Sequence, residues 1–111
     1  MRRDAYYPST MPRTDCTEIL KAMADPNRLR LVNALVAREL SVNDLAKRLA
    51  ISQYNVSKHL RVLRHAGIVS VRAEGTQRRY TIASSLEVRA DENGKIIDFG
   101  CCSFDFNRLA S

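Results

Sequence analysis

The 111-residue sequence lacks the features of a membrane or secreted protein. It has no run of about 18 or more apolar residues, and no apolar h-region follows its N-terminal arginines, so we expect neither a membrane span nor a secretory signal. Its three cysteines are odd in number and lack the spacing of a disulfide framework, which favours free thiols in a reducing compartment. These absences predict a cytoplasmic protein without a membrane partner.

Several motifs of enzymes and metal sites are also missing. No Cys-x-x-Cys pair occurs, so the sequence carries neither a zinc signature nor the usual motif of a thiol reductase. No His follows His65, and no glycine-rich loop that would cradle a phosphate is present. A small thiol oxidoreductase that uses Cys101 and Cys102 is the alternative from another class, and these absences predict instead that the chain is not an enzyme.

What the sequence does contain is an amphipathic helix with one polar face, in residues 52–67. Val56, Leu60 and Leu63 recur at spacings of four and three, which places them on one face between a Ser cap and a Gly. A shorter helix is predicted upstream from a Ser41 cap, and about three residues join the two, as in a helix-turn-helix. A merely solvated polar face is the plainer alternative, and the spacing favours DNA recognition.

Positive charge is concentrated in and after this helix pair. Residues 47–79 contain eight Lys or Arg and one acid, a net charge of +7 in a chain whose total is +6. The alternating runs 68–73 and 78–82 flank a turn that contains Gly75 and predict a β-hairpin. A helix-turn-helix followed by a hairpin is a winged helix, and the local charge suits phosphate. An ordinary hairpin with charged edges is the alternative.

Double-stranded operator DNA is therefore the predicted partner of this region. Polar side chains on the second helix can hydrogen-bond base edges in the major groove, and arginines beside the turn can reach the backbone or the minor groove. A winged helix that binds another protein and never touches DNA would show little dependence on salt. The predicted DNA-binding residues are Gln53, Tyr54, Asn55, Ser57, Lys58, His59 and Arg61 on the helix, with Arg72, Arg78 and Arg79 on the hairpin.

The chain divides into three predicted parts. Residues 1–13 form a flexible N-terminal arm, and residues 14–83 form the winged helix-turn-helix DNA-binding domain, with further helices at 15–24 and from an Asp25 cap to residue 37. Residues 84–111 form a C-terminal extension that carries the Cys pair, where two alternating runs around Asn93-Gly94 predict a second β-hairpin. The predicted fold class is mainly α with β-hairpins (α+β).

Two motifs within residues 20–80 occur in the same order as in a known family. They are Leu-Lys-Ala-Met-Ala-Asp-Pro-Asn-Arg-Leu-Arg-Leu and Ser-Lys-His-Leu-Arg-Val-Leu-Arg-His-Ala-Gly-Ile-Val, and the run resembles the ArsR/SmtB family of winged-helix repressors. The resemblance implies a homodimer that binds an operator near its own promoter and leaves it when an inducer, commonly a metal or metalloid ion, binds. A C-terminal hairpin here takes the place of the dimerising helix that the family usually has.

This sequence lacks the ligand residues of the two inducer sites that the resemblance implies. Family members with an arsenic or heavy-metal site carry Cys-Val-Cys where this chain has Ser41-Val-Asn43, and neither Ser nor Asn replaces a thiolate for a soft ion. The other common site needs His and carboxylate residues on a C-terminal helix, and this chain has no His there. We therefore expect neither site to work.

The candidate sensor residues are Cys16, Cys101 and Cys102. Cys16 stands at the start of the first helix, where the helix dipole favours a thiolate. The apolar face of the last strand changes phase between Phe99 and Phe104, and a β-bulge between them would bring the two adjacent sulfurs to one side.

Three thiolates, within one subunit or across the dimer, would suit trivalent arsenic or another soft metal ion as inducer. DNA binding itself would require no cofactor. Thiol redox or persulfide switching and buried, inert cysteines remain open as alternatives. The predicted function is a homodimeric DNA-binding transcriptional repressor, released from its operator by an inducer that is sensed through thiols.

Overall fold

The computed structural model describes residues 16–91 and 94–108, and the predicted N-terminal arm lies outside them. None of the helices in these ranges is long and apolar enough to cross a membrane. A short 3-10 helix, Phe106–Arg108, ends the described chain. The other elements, in order, are α1 (Cys16–Met23), α2 (Pro26–Ala37), β1 (Leu40–Ser41), α3 (Val42–Leu49), α4 (Gln53–His65), β2 (Val69–Glu74), β3 (Gln77–Ile82), β4 (Glu87–Asp91), β5 (Gly94–Asp98) and β6 (Ser103–Asp105).

Side-chain caps fix where three of the helices begin. The Asp25 carboxylate accepts hydrogen bonds from the backbone N–H groups of the first turn of α2, at 2.8 and 3.1 Å. Ser41 and Asp44 form a reciprocal capping box at the start of α3, and the Ser52 hydroxyl accepts from the Asn55 N–H at the start of α4. The predicted helix-turn-helix is confirmed, and Ala50 turns the chain between its helices with a left-handed φ of +57°.

The first sheet forms the wing, with strand order β1-β3-β2. β2 and β3 pair as an antiparallel hairpin in which Glu74 lies opposite Gln77, so two residues form its turn. Gly75 has a φ of +62°, which suits the first position of a type II′ turn. The two residues of β1 pair with Arg79 and Tyr80 in the middle of β3 and anchor the wing beside the start of α3. The sequence pattern did not predict this short strand.

The second sheet, with order β4-β5-β6, differs from the predicted single hairpin and its bulge. β5 and β6 are antiparallel, and Ile97 pairs with Phe104 on one face, so the change of phase comes from a chain reversal. In that reversal the Phe99 N–H donates to the Cys102 carbonyl at 2.8 Å, and Gly100 has a φ of +94°. The prediction of a bulge was wrong because a tight turn shifts the alternation in the same way.

The second sheet packs on the helices of its own chain. Ile97 and Phe106 are buried in the same core as residues of α1, α2, α4 and the wing. Lys95 Nζ donates to Asn33 Oδ1 on α2 at 3.1 Å. This packing brings the reversal between β5 and β6 over the start of α1.

Candidate functional site

One face of α4 is buried and the opposite face is fully available to a ligand. Val56, Leu60 and Leu63 are completely buried. Tyr54 is 73% exposed, and Lys58 Nζ lies 5.6 Å from the centre of its ring. The exposed residues of the predicted set on this helix are Gln53, Tyr54, Asn55, Ser57, Lys58 and Arg61.

His59 has different surroundings from the rest of the predicted set. It is half-buried, and its Nδ1 lies 3.2 Å from Nη1 of Arg28 on α2. The same guanidinium donates from Nε to the Ala22 carbonyl at 2.6 Å and from Nη2 to the Lys21 carbonyl at 3.4 Å. Arg28 therefore joins the C-terminal end of α1 to α4, a connection that the sequence pattern did not reveal.

The wing arginines form an ion-pair network with two carboxylates. Arg72 donates to both carboxylate oxygens of Glu39, at 2.8 and 3.2 Å, and Arg79 Nε lies 3.4 Å from the same group. Glu74 lies within 3.8 Å of both arginines. The hydrogen bond from Arg72 lowers the pKa of Glu39 below its ordinary value, so this carboxylate is charged at neutral pH.

Arg78 stands outside this network. It is exposed and has no ion pair among residues 16–91 and 94–108. It borders a groove of about 300 Å³ between the start of α3, the start of α4 and the wing turn. The other residues that line the groove are Ser41, Val42, Asn43, Gln53, Ser57, Thr76 and Gln77.

Asn43 is a residue of this groove that sequence reasoning did not select. Gln53 Nε2 donates to Asn43 Oδ1 at 2.9 Å, and both side chains are exposed. Asn43 occupies the position of a thiol in the Cys-Val-Cys motif of the resembling repressors, while Ser41 is buried as the α3 cap. That departure from the motif was the available signal.

The three cysteines lie together at the other end of α1. Their sulfur atoms are all within 4.8 Å of one another, with Cys16 and Cys102 half-buried and Cys101 exposed. Cys16 and Cys101 form a disulfide with a Cα–Cα distance of 6.0 Å, and Cys102 is a free cysteine. The expectation of three free thiols was wrong, because the reversal after β5 places Cys101 within bonding range of α1.

In its reduced form this cluster offers three soft ligands, which could bind a metal ion. In its oxidised form only one thiol remains, so oxidation and ion binding use the same sulfur atoms. The disulfide links the start of α1 to the reversal after β5, and an ion bound by all three sulfur atoms would link the same two segments.

Comparison with known proteins gives consistent matches. A family model described as a helix-turn-helix domain matches residues 23–72. The transcriptional activator HlyU of Vibrio cholerae is 46% identical over 72 residues, which cover 65% of this chain and 66% of that protein. A transcriptional repressor SmtB homolog of Synechocystis is 43% identical over 61% of this chain and 52% of its own length.

A solved structure of HlyU from Vibrio cholerae matches with a TM-score of 0.63 at 35% identity. The match covers 77% of this chain and 84% of that one. The fold of about three quarters of this chain thus occurs in a related protein. The curated relatives above extend well beyond the part that this chain matches.

Proposed function

Because the chain belongs to the ArsR/SmtB family of helix-turn-helix transcriptional regulators and is not an enzyme, we propose that it is a cytoplasmic, homodimeric repressor of transcription. It binds operator DNA and is released by an inducer that reacts with its thiols. Leu20 is 58% exposed on α1, and we propose that a dimer contact on that helix covers it. Sedimentation of the reduced protein tests this: a monomer at micromolar concentration contradicts it.

The proposed DNA surface is the exposed face of α4 together with the wing. The first turn of α4 carries amide and hydroxyl groups for base edges, and Lys58 and Arg61 follow toward the phosphates. Among the wing arginines, Arg78 is the direct phosphate contact, because Arg72 and Arg79 already bond carboxylates. Those two arginines share their charge with Glu39 and Glu74, so we expect each to contribute less to phosphate binding than Arg78 does.

The single observation that carries the sensing proposal is the meeting of three sulfur atoms from the two ends of the described chain. Trivalent arsenic is the proposed inducer, with other soft metal ions in the same chemical class. Arsenous acid would exchange its three hydroxyl groups for the sulfur atoms of Cys16, Cys101 and Cys102. The three thiol protons would leave with the hydroxyl groups as three water molecules, without any change of oxidation state. This reaction requires the reduced protein.

A redox-responsive repressor is the second candidate, and the Cys16–Cys101 disulfide favours it. Two thiols lose two protons and two electrons to form the bond, and a peroxide takes them up as it becomes two water molecules. A polysulfide oxidant would act at the same pair. The two candidates differ in the oxidation state of the protein that leaves the operator.

Helix α1 provides a physical route from the cluster to the DNA surface. Cys16 is its first residue, and the carbonyl groups near its end accept hydrogen bonds from Arg28. Arg28 in turn contacts His59 on α4. A shift of α1 that follows disulfide formation or ion binding would therefore disturb a side chain packed against α4.

The test is binding of the purified, reduced protein to DNA from its own promoter, across a series of salt concentrations. Affinity that falls steeply as salt rises supports phosphate contacts, and weak binding without salt dependence contradicts the DNA-binding proposal. The measurement is repeated with arsenite, zinc, cadmium, peroxide and polysulfide. The matched variant is Cys101→Ser with Cys102→Ser, which removes two of the three sulfur atoms.

Release of the wild type by arsenite, with retention of the double variant, supports metalloid sensing. Release by peroxide or polysulfide alone supports the redox candidate. If none of these agents releases the wild type, the cysteines are structural and thiol sensing is wrong, although the DNA-binding proposal can still hold.

A further inference from the structure

The contact between Asn43 and Gln53 joins the first turn of α3 to the first residue of α4. Gln53 Nε2 donates to Asn43 Oδ1 at 2.9 Å. Both residues are exposed, so the bond is not needed to satisfy a buried group. The pair lines the groove between the start of α3, the start of α4 and the wing turn, which belongs to the proposed DNA surface.

The chemistry of the primary amide limits what this pair can bind. A Gln side chain has two N–H donors and one carbonyl acceptor, and the bond to Asn43 uses one donor. One donor and one acceptor remain on Gln53. In the major groove, adenine presents an N7 acceptor beside an N6 amino donor, and a Gln amide can meet both at once.

The capping box of α3 holds the backbone around Asn43, so this residue enters the groove from a fixed backbone position. The Ser41 hydroxyl accepts from the Asp44 N–H at 3.1 Å, and Asp44 Oδ2 accepts from the Ser41 N–H at 3.3 Å. Ser41 is also paired with Arg79 in the wing sheet. An otherwise flexible Gln53 side chain is thereby restrained before DNA arrives, which reduces the entropy lost on binding.

We propose that Asn43 is a specificity-determining residue, which orients the Gln53 amide for two simultaneous hydrogen bonds to one adenine in each operator half-site. The proposal rests on the proposed DNA-binding function and extends it to a residue of α3. Asn43 acts through Gln53 and is in that sense a positioning residue. The bond from Gln53 uses the side-chain oxygen of Asn43, so the side-chain N–H groups of Asn43 can donate to a neighbouring phosphate or base.

The test measures base preference with Asn43→Ala, Asn43→Asp and Gln53→Ala. Promoter DNA is used with each base pair of one half-site replaced in turn. A good bidentate contact discriminates against a wrong base by about 5- to 150-fold. We expect the wild type to show such discrimination at one A·T pair, and both Ala variants to lose most of it at that same pair.

Asn43→Asp keeps the oxygen that accepts from Gln53, but it adds a negative charge close to the DNA backbone. It should therefore keep the discrimination at the A·T pair while binding every sequence more weakly. Ser84→Ala is the control, since Ser84 is exposed and lies outside the proposed DNA surface, and it should leave the preference at that pair unchanged.

The proposal is overturned if Asn43→Ala still discriminates fully in favour of the A·T pair. It is also overturned if Asn43→Ala loses base preference at a different pair from the one that Gln53→Ala affects. A uniform loss of affinity in Asn43→Ala with preference unchanged also overturns it, because that pattern belongs to a structural role. Failure of the wild type to bind any DNA with salt dependence is a different outcome, which removes the proposed function itself.

Discussion

Removing the bond between Cys16 and Cys101 should lower the stability of the protein by a large amount. The bond closes a loop with a sequence separation of 85 residues. Loop-closure entropy for a loop of that size stabilises the folded state by about 4.5 kcal/mol at 25 °C, and native disulfides commonly contribute about 2–5 kcal/mol. Because Ile97 and Phe106 hold the second sheet in the core that it shares with the helices, we expect the fold to survive reduction of the bond.

Urea unfolding of the oxidised and the reduced protein measures this difference. With an m-value of about 1.5 kcal/mol per molar urea, a loss of about 2–4.5 kcal/mol lowers the midpoint by roughly 1.3–3 M. Thiol titration under denaturing conditions establishes the starting states, with one thiol in the oxidised protein and three in the reduced protein.

Cys16→Ser is the informative variant, because Cys102 lies close enough to replace Cys101 as the partner of Cys16. Its midpoint should match that of the reduced wild type and should not respond to reductant. Cys102→Ser should behave like the wild type in both states. The loop-entropy reasoning would be refuted if the oxidised wild type, with one titratable thiol, and the reduced wild type, with three, unfolded at the same urea concentration.

Three further predictions concern local features. Ala50→Gly should raise stability by about 0.5–1 kcal/mol in thermal unfolding, because Ala50 has a left-handed φ, while Ala46→Gly inside α3 should lower it. Hydrogen bonds from the Ser41 backbone and hydroxyl hold the pKa of Asp44 below its ordinary value of 3.8. Its ionised form therefore stabilises the fold above that pH, so the deficit of Asp44→Asn in urea unfolding should be largest at neutral pH and shrink as the pH falls through 3.8 and lower. In the wild type, we expect thiol oxidation to change DNA affinity by at least about 5-fold. In Arg28→Met the affinities of the reduced and oxidised protein should be nearly equal, because the contact between α1 and α4 is lost. A ratio of these two affinities equal to that of the wild type would contradict the route through α1.

Local patterns were enough to predict the helices and the wing. The caps at Asp25, Ser41 and Ser52 and the spacing of buried positions in α4 act over a few residues, so their effect can be read directly from the chain. The reversal at Gly100 left a visible trace, the change of apolar phase, but a bulge and a tight turn leave the same trace.

Contacts between distant residues could not be predicted in this way. Glu39 and Arg72 are 33 positions apart, and no periodicity relates them. Their pairing depends on how the two-residue strand β1 brings the end of α2 beside the wing. For the same reason, the helix face identified residues that could contact DNA, such as Gln53. It did not identify the side chains that bond to the predicted residues, such as Asn43 with Gln53 and Glu39 with Arg72.

The thiols of this chain and Asn43 lie in different parts of the fold. The segment that carries thiols in the resembling repressors is occupied here by Ser41, which caps α3, and by Asn43, which bonds Gln53. A soft ion at that segment would disturb the DNA surface directly. The thiols of this chain lie instead at the start of α1, and that helix connects them to Arg28 and His59. In the function proposed above, this separation leaves the Asn43–Gln53 pair to read bases, and the Arg28 contact joins sensing to DNA binding.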